Sequence, residues 1–241
     1  MSGNPKLDAI KVANTRQRIL EGCFTLFSER GIESVSMPEL ARAVGQARSY
    51  IYHLFPTKPD LVIAVSAYVW RKYTEQSFER IDAEIRTAGK SAAERYVFWL
   101  DCFLDLYREH RDLLRFNQFF NVYVANEKVS DEQMEPYRRV IMDLKNRFLR
   151  AYELGKQDGT LRTDIPEQKI FSTTLHLMLA AVTRYAVGLV YKDGDSTPEE
   201  ELAALREMLM QRYTTEKRAS FPSAISENEG IQPLNIEEER K

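Results

Sequence analysis

Arg48, Ser49, Tyr50, Tyr52 and His53 put five hydrogen-bonding side chains into one short segment that contains no carboxylate. Side chains of these types bind phosphate oxygens and base edges, and the Arg48 guanidinium fork can meet two acceptors at once. A carboxylate among them would repel a phosphate backbone, so its absence fits a nucleic-acid surface. At about 100° per residue of helix, Arg48, Ser49, Tyr52 and His53 share one side, with Tyr50 at the flank. Ala47, Ile51, Leu54 and Phe55 fall on the other side, as a helix docked on a core requires. Thr57 and Lys58 follow at the start of a further helix, where backbone N–H groups and the helix dipole favour an anion. The plain alternative is a solvated helix face, since such faces are normally polar.

The preceding residues favour the functional reading. Ser36 is placed to N-cap a short helix, with Glu39 completing a capping box and Pro38 in the first turn. Leu40, Ala41 and Val44 form its apolar stripe, and Gly45 suits a turn that needs positive φ. Before it, a helix from about Thr15 to Arg30 turns Leu20, Cys23, Phe24 and Phe27 inward, with Gly31 as its stop. Ser36 to Lys58 therefore reads as a helix-turn-helix feeding a third helix, an arrangement that places its second helix in the major groove of DNA.

This stretch resembles the DNA-binding domain of the TetR (tetracycline-repressor-like) family of bacterial transcriptional regulators. The likeness rests on the Arg18–Gly31 helix, the Gly45 turn, the Ile51-Tyr52-His53-Leu54-Phe55 ending and the Thr57-Lys58 start. It is close over residues 14–62 and extends beyond them only in helix layout. Ala47 stands where the family usually carries a capping Ser or Thr, a loss of about 1 kcal/mol, and Gln46 stands where an apolar residue is usual. The resemblance implies a homodimer on a palindromic double-stranded DNA operator, with Tyr52 and His53 on phosphates and a small-molecule inducer of unspecified chemistry. It also implies that some mid-chain aromatics line the inducer pocket.

Helix signals dominate the remainder, with no sustained period-two alternation. A helix from Thr57 to about Arg86 is long enough to connect two domains. Gly89 breaks it and Ser91 caps the next, Ser91–Glu109. Asp112–Ala125, Asp131–Gln157, Glu167–Tyr191 and Pro198–Thr214 follow, with Gly159 to Pro166 as a turn. The expected architecture is all-α. It comprises a helix-turn-helix DNA-binding domain over 1–60, a helical ligand-binding and dimerisation domain over 61–217, and an acidic, disordered tail over 218–241.

Trp99, Phe103, Tyr107, Phe116, Phe119, Phe120 and Tyr123 are the candidate pocket aromatics, with packed core as the alternative for each. His176 is the polar candidate from the Glu167–Tyr191 helix, although a core or interface position is the favoured reading over a ligand contact. Leu175–Val190 is apolar around most of its circumference, so it is buried or paired with another subunit. With Leu202, Leu205, Met208 and Leu209 it can form an intersubunit four-helix bundle. Arg184 within it needs a carboxylate or an interface edge.

Composition sets the outer limits. The 241 residues carry a net charge of −2. Residues 1–60 hold +2 and the rest −4, a modest basic bias that suits DNA binding as a pair. Cys23 and Cys102 read as buried thiols in a reducing compartment. The N-terminus lacks a signal-peptide run, and Leu175–Tyr191 is short and interrupted for a membrane span, so the expectation is a cytoplasmic protein without a membrane partner. No phosphate loop, nucleophile elbow or metal-ligand spacing occurs. The expectation is therefore a regulator rather than an enzyme, without cofactor, metal or catalytic residues. The competing class is a helical ligand-binding or catalytic protein that has lost DNA binding.

Overall fold

A computed structural model describes residues 5–188 and 196–215, side chains 5–9 and 80–88 excepted. Within them the chain forms nine α-helices: α1 (Pro5–Arg30), α2 (Met37–Ala43), α3 (Arg48–Leu54), α4 (Lys58–Ala88), α5 (Ala92–Glu109), α6 (Arg111–Glu127), α7 (Asp131–Asp158), α8 (Glu167–Val187) and α9 (Pro198–Tyr213). The expected acidic tail and the end of the expected Glu167–Tyr191 helix lie outside the described residues. Among the described residues the sole strand-like feature is a bridge between Leu161 and Thr214, where Arg162 N donates to Tyr213 O.

Local chemistry sets most of the helix ends. Ser36 and Glu39 form the expected reciprocal box: Ser36 N donates to Glu39 Oε2 at 2.8 Å, and Glu39 N donates to Ser36 Oγ. Ser91 with Glu94, Ser130 with Gln133 and Thr197 with Glu200 repeat the motif. Gly45 turns at φ 64°, and Gly159 closes α7 in the left-handed region. α1 begins at Pro5 rather than Thr15 because no breaker interrupts residues 6–14; Ile10 and Val12 in that extension are exposed. The division expected at residue 60 falls within the first turn of α4, which runs unbroken from the helix-turn-helix into the helical body.

The helices share one connected core. α1 packs on α4 and α6, α4 on α7, α6 on α8, and α5 on α7, α8 and α9. Ile19, Cys23, Phe27, Leu40, Ile51 and Phe55 fill the core beneath the helix-turn-helix. Each large apolar side chain there contributes about 1.5–3 kcal/mol by leaving water. Cys23 is buried as expected, and burial pushes its thiol up to about 12. Cys102 is half-buried rather than core.

Candidate functional site

α3 docks through Ile51 and Phe55, 1% and 2% exposed, and turns Arg48, Ser49 and His53 to solvent. Tyr50 and Tyr52 are half-buried at its edges, and the Arg48 guanidinium lies 5.3 Å from the Tyr52 ring centroid. Ala47 does not join the buried face: it is exposed at the N-cap, without a side-chain cap bond. The polar face is thus an open surface of donors with no carboxylate on α3 itself.

The two residues at the start of α4 part company. Thr57 is exposed, and its hydroxyl donates to Asp60 Oδ2 at 2.7 Å, so an internal carboxylate already serves this helix end. Lys58 turns inward, its ammonium 5.6 Å from the Tyr123 ring centroid. Desolvation pulls its pKa down, against an upward pull from Glu127, Glu33 and Glu39. Arg16 of α1 was not singled out by local spacing, yet its guanidinium lies over the Phe55 ring at 5.1 Å and brings a second cation beside the end of α3. Only the folded chain, which brings Arg16 over Phe55, reveals it.

Close packing sets the position of this surface. A Cβ at Gly22 of α1 would lie 2.7 Å from Val44 Cγ1, so a helix interior and the turn before α3 meet without room for a methyl group. Glu21 accepts from the Tyr68 hydroxyl at 2.6 Å and from Lys72 Nζ at 3.0 Å, tying α1 to α4. Those two bonds, Tyr68 first, hold the Glu21 carboxyl below its usual range. From the helical body, Gln133 Nε2 donates to Asp60 Oδ1 and Asn126 Nδ2 to Glu33 Oε1, while Phe119 rests against Gly31.

A narrow cavity of about 60 Å³ lies between α4, α5, α7 and α8. Trp70, Tyr73, Phe78, Trp99, Phe103, Leu106, Tyr137, Val140 and Leu144 form most of its wall, and no charged side chain lines it. The Tyr73 hydroxyl donates to the Cys102 carbonyl at 2.6 Å, whereas Trp70 Nε1–H is buried with no acceptor among the described residues. Of the aromatic candidates, Trp99 and Phe103 reach this cavity. Tyr107 lies under Arg111 and edge-on to Tyr185; Phe120 stacks on Phe116 and tilts against Tyr137. Tyr123 sits beneath Lys58, and burial pushes its hydroxyl up to about 12. The wall residues on α4 and α7 escape a reading of the sequence because either stripe is equally consistent with packed core.

His176 is exposed on α8, in an outer groove with Asn117, Asn121 and Arg184. Leu177, Ala180 and Val187 continue that exposed stripe, and Met208 of α9 is also exposed. α8 is long and apolar enough to cross a membrane by length and composition alone. Among the described residues, no three His, Cys, Asp or Glu side chains group as metal ligands.

Residues 19–65 match the family profile described as bacterial regulatory proteins, tetR family. The HTH-type transcriptional repressor AcnR of Corynebacterium glutamicum is 26% identical over 179 residues, covering 74% of this chain and 85% of the relative. A transcriptional regulator from Saccharomonospora viridis, solved in complex with choline, superposes with a TM-score of 0.63 at 20% identity, over 85% of this chain and 100% of that one. The regulator FadR from Bacillus subtilis, solved with stearoyl-CoA, gives 0.61 at 16% identity, over 80% and 97%.

Proposed function

We propose, from the match of residues 19–65 to the tetR family profile and the likeness to the repressor AcnR, that this chain is a tetR-type repressor that grips a palindromic operator as a homodimer and releases it when a small molecule occupies the cavity. The observation that carries the DNA part is the exposed, carboxylate-free face of α3, held on a helix-turn-helix by Ile51 and Phe55. On it Arg48 is the base-reading residue, and Ser49, Tyr50, Tyr52 and His53 serve register and phosphate contact. Thr57 adds a phosphate contact; Lys58 joins only if it leaves Tyr123. The DNA-binding unit comprises α1 to α3 with the first turn of α4, and the remaining helices form the ligand and dimer unit, acting in the cytoplasm.

The exposed Leu177, Val187 and Met208 are the surface on which a second copy would pack α8 and α9. Such a pair presents two recognition helices about 34–36 Å apart, one turn of DNA. Coupling has a physical carrier. α4 supplies Trp70 to the cavity wall and Asp60 to the contact with Gln133, a span of about 15 Å on one helix at 1.5 Å per residue. A ligand shifts the balance only by binding one arrangement of α4 better than the other. Selection of bound genomic fragments followed by gel shift tests the reading: a palindrome bound in preference to random DNA supports it, and uniform weak binding overturns it.

A further inference from the structure

The apolar cavity shares a wall with an open polar cleft. Thr74 and Phe78 of α4 and Val140 and Leu144 of α7 line both spaces. Around the cleft stand Arg71, Arg147 and Arg150, three guanidinium groups against the two carboxylates of Glu75 and Asp143. Arg147 lies 4.4 Å over the ring of Phe78, so a cation sits on the partition between the two spaces. Within the cavity itself no charged side chain is present. Trp70, 7% exposed, keeps an Nε1–H without an acceptor there.

We propose that cavity and cleft together bind a single-chain amphiphile with an anionic head. This rests on the ligand-responsive reading above and names the ligand's chemistry. The narrow apolar space takes only a short, slim segment of chain and excludes a charged head, whose burial there would go uncompensated. The head stays in the cleft, where planar guanidinium forks match a carboxylate or a phosphate. An oxygen on the chain accepts from Trp70 Nε1–H, which otherwise forgoes a hydrogen bond on burial. Binding along this partition draws α4 and α7 into one arrangement, the same α4 that carries the start of the DNA-binding unit.

Calorimetry on the DNA-free, full-length protein tests the ligand class independently of the operator. The probes are hexanoate, hexanoyl-coenzyme A, methyl hexanoate and free coenzyme A. One anionic chain binds at least tenfold more tightly than the neutral ester, and free coenzyme A does not bind. Which anionic probe prevails identifies the head as carboxylate or phosphate. Exchanging Arg71→Ala and Arg150→Ala together removes the preference over the ester. Leu144→Trp, or Val140→Phe should the first variant not fold, reduces binding of every chain at least tenfold, and Trp70→Phe weakens the acyl-coenzyme A several-fold while leaving the free carboxylate, which has no oxygen beyond its head, unchanged. A neutral ester that binds as well as the anions, a preference that survives the arginine exchange, or no binding by any chain overturns the proposal. A parallel operator titration keeps the readings separate: lost DNA binding with intact amphiphile binding would sink the repressor and leave this site standing.

Discussion

Replacing Gly22 by alanine tests how tightly the recognition helix is set. In an ordinary helix interior Gly→Ala stabilises by about 1 kcal/mol. At Gly22 the new Cβ would meet Val44 Cγ1 at 2.7 Å, and Val44 is the residue that closes α2 before the Gly45 turn. Its β-branched side chain has few alternative rotamers, so either Val44 or the turn must move, and overpacking of that kind costs about 1–3 kcal/mol. The balance is a net loss of about 0–2 kcal/mol where an open site would gain. Val44→Ala removes the atom that is struck, so in the double variant the helix gain returns without the clash. Urea unfolding of the four proteins at one fixed concentration should give a coupling energy of about 1–3 kcal/mol between the two sites. Because the displaced turn leads into α3, Gly22→Ala should also weaken operator binding more than Val44→Ala does. A Gly22→Ala protein about 1 kcal/mol more stable than the parent, with no coupling to Val44, would refute the reasoning.

Three further outcomes are expected. Arg48→Ala should weaken specific operator binding by about 1–3 kcal/mol and relax preference at one base, read by fluorescence anisotropy; a uniform loss on all sequences would make it a phosphate contact instead. The capping bonds from Ser36, its backbone N–H first, hold the Glu39 carboxyl at about 2. A carboxylate lowered on folding stabilises above its ordinary value and loses that contribution as pH falls towards about 2. Amide signals of α2 should therefore persist at pH 4 and open on further acidification, and Glu39→Gln should flatten that response. Arg206 grips Asp101 with two bonds, Nε to Oδ1 at 2.5 Å and Nη2 to Oδ2 at 3.1 Å, between α9 and α5. Asp101→Ala should cost up to about 3 kcal/mol in urea unfolding, and Arg206→Met less, since it removes the charge and keeps an apolar stem.

What could be read from the residues was whatever local chemistry settles. The Ser36–Glu39 and Ser91 caps, the left-handed Gly45 and Gly159 and the buried Ile51 and Phe55 follow from hydrogen bonds and spacings within a few residues. The exposure of Arg48, Ser49 and His53 follows from the same helical period. What escaped depends on which distant helices meet. Lys58 turns to Tyr123 because α6 passes beside the start of α4, and Arg16 reaches Phe55 because the fold brings α1 beside the residue that ends α3. Phe119 and Phe120 lie against Gly31 and Phe116, while Trp70 and Val140 face the cavity. An apolar stripe announces that a side is covered and is silent about whether its cover is a neighbour or a ligand. Ala47 shows the same limit at small scale: its angular position is that of the buried side, but at the first turn no neighbour covers it.

The most direct test is a salt-dependent anisotropy titration of the full-length protein on DNA fragments selected from the genome. The account predicts that a palindromic fragment binds two chains, at least a thousandfold (about 4 kcal/mol) more tightly than random duplex, with affinity falling steeply as salt rises. It also predicts that Arg48→Ala narrows that preference by about 1–3 kcal/mol. Equal binding to palindromic and random DNA, or a preference untouched by Arg48→Ala, would contradict it.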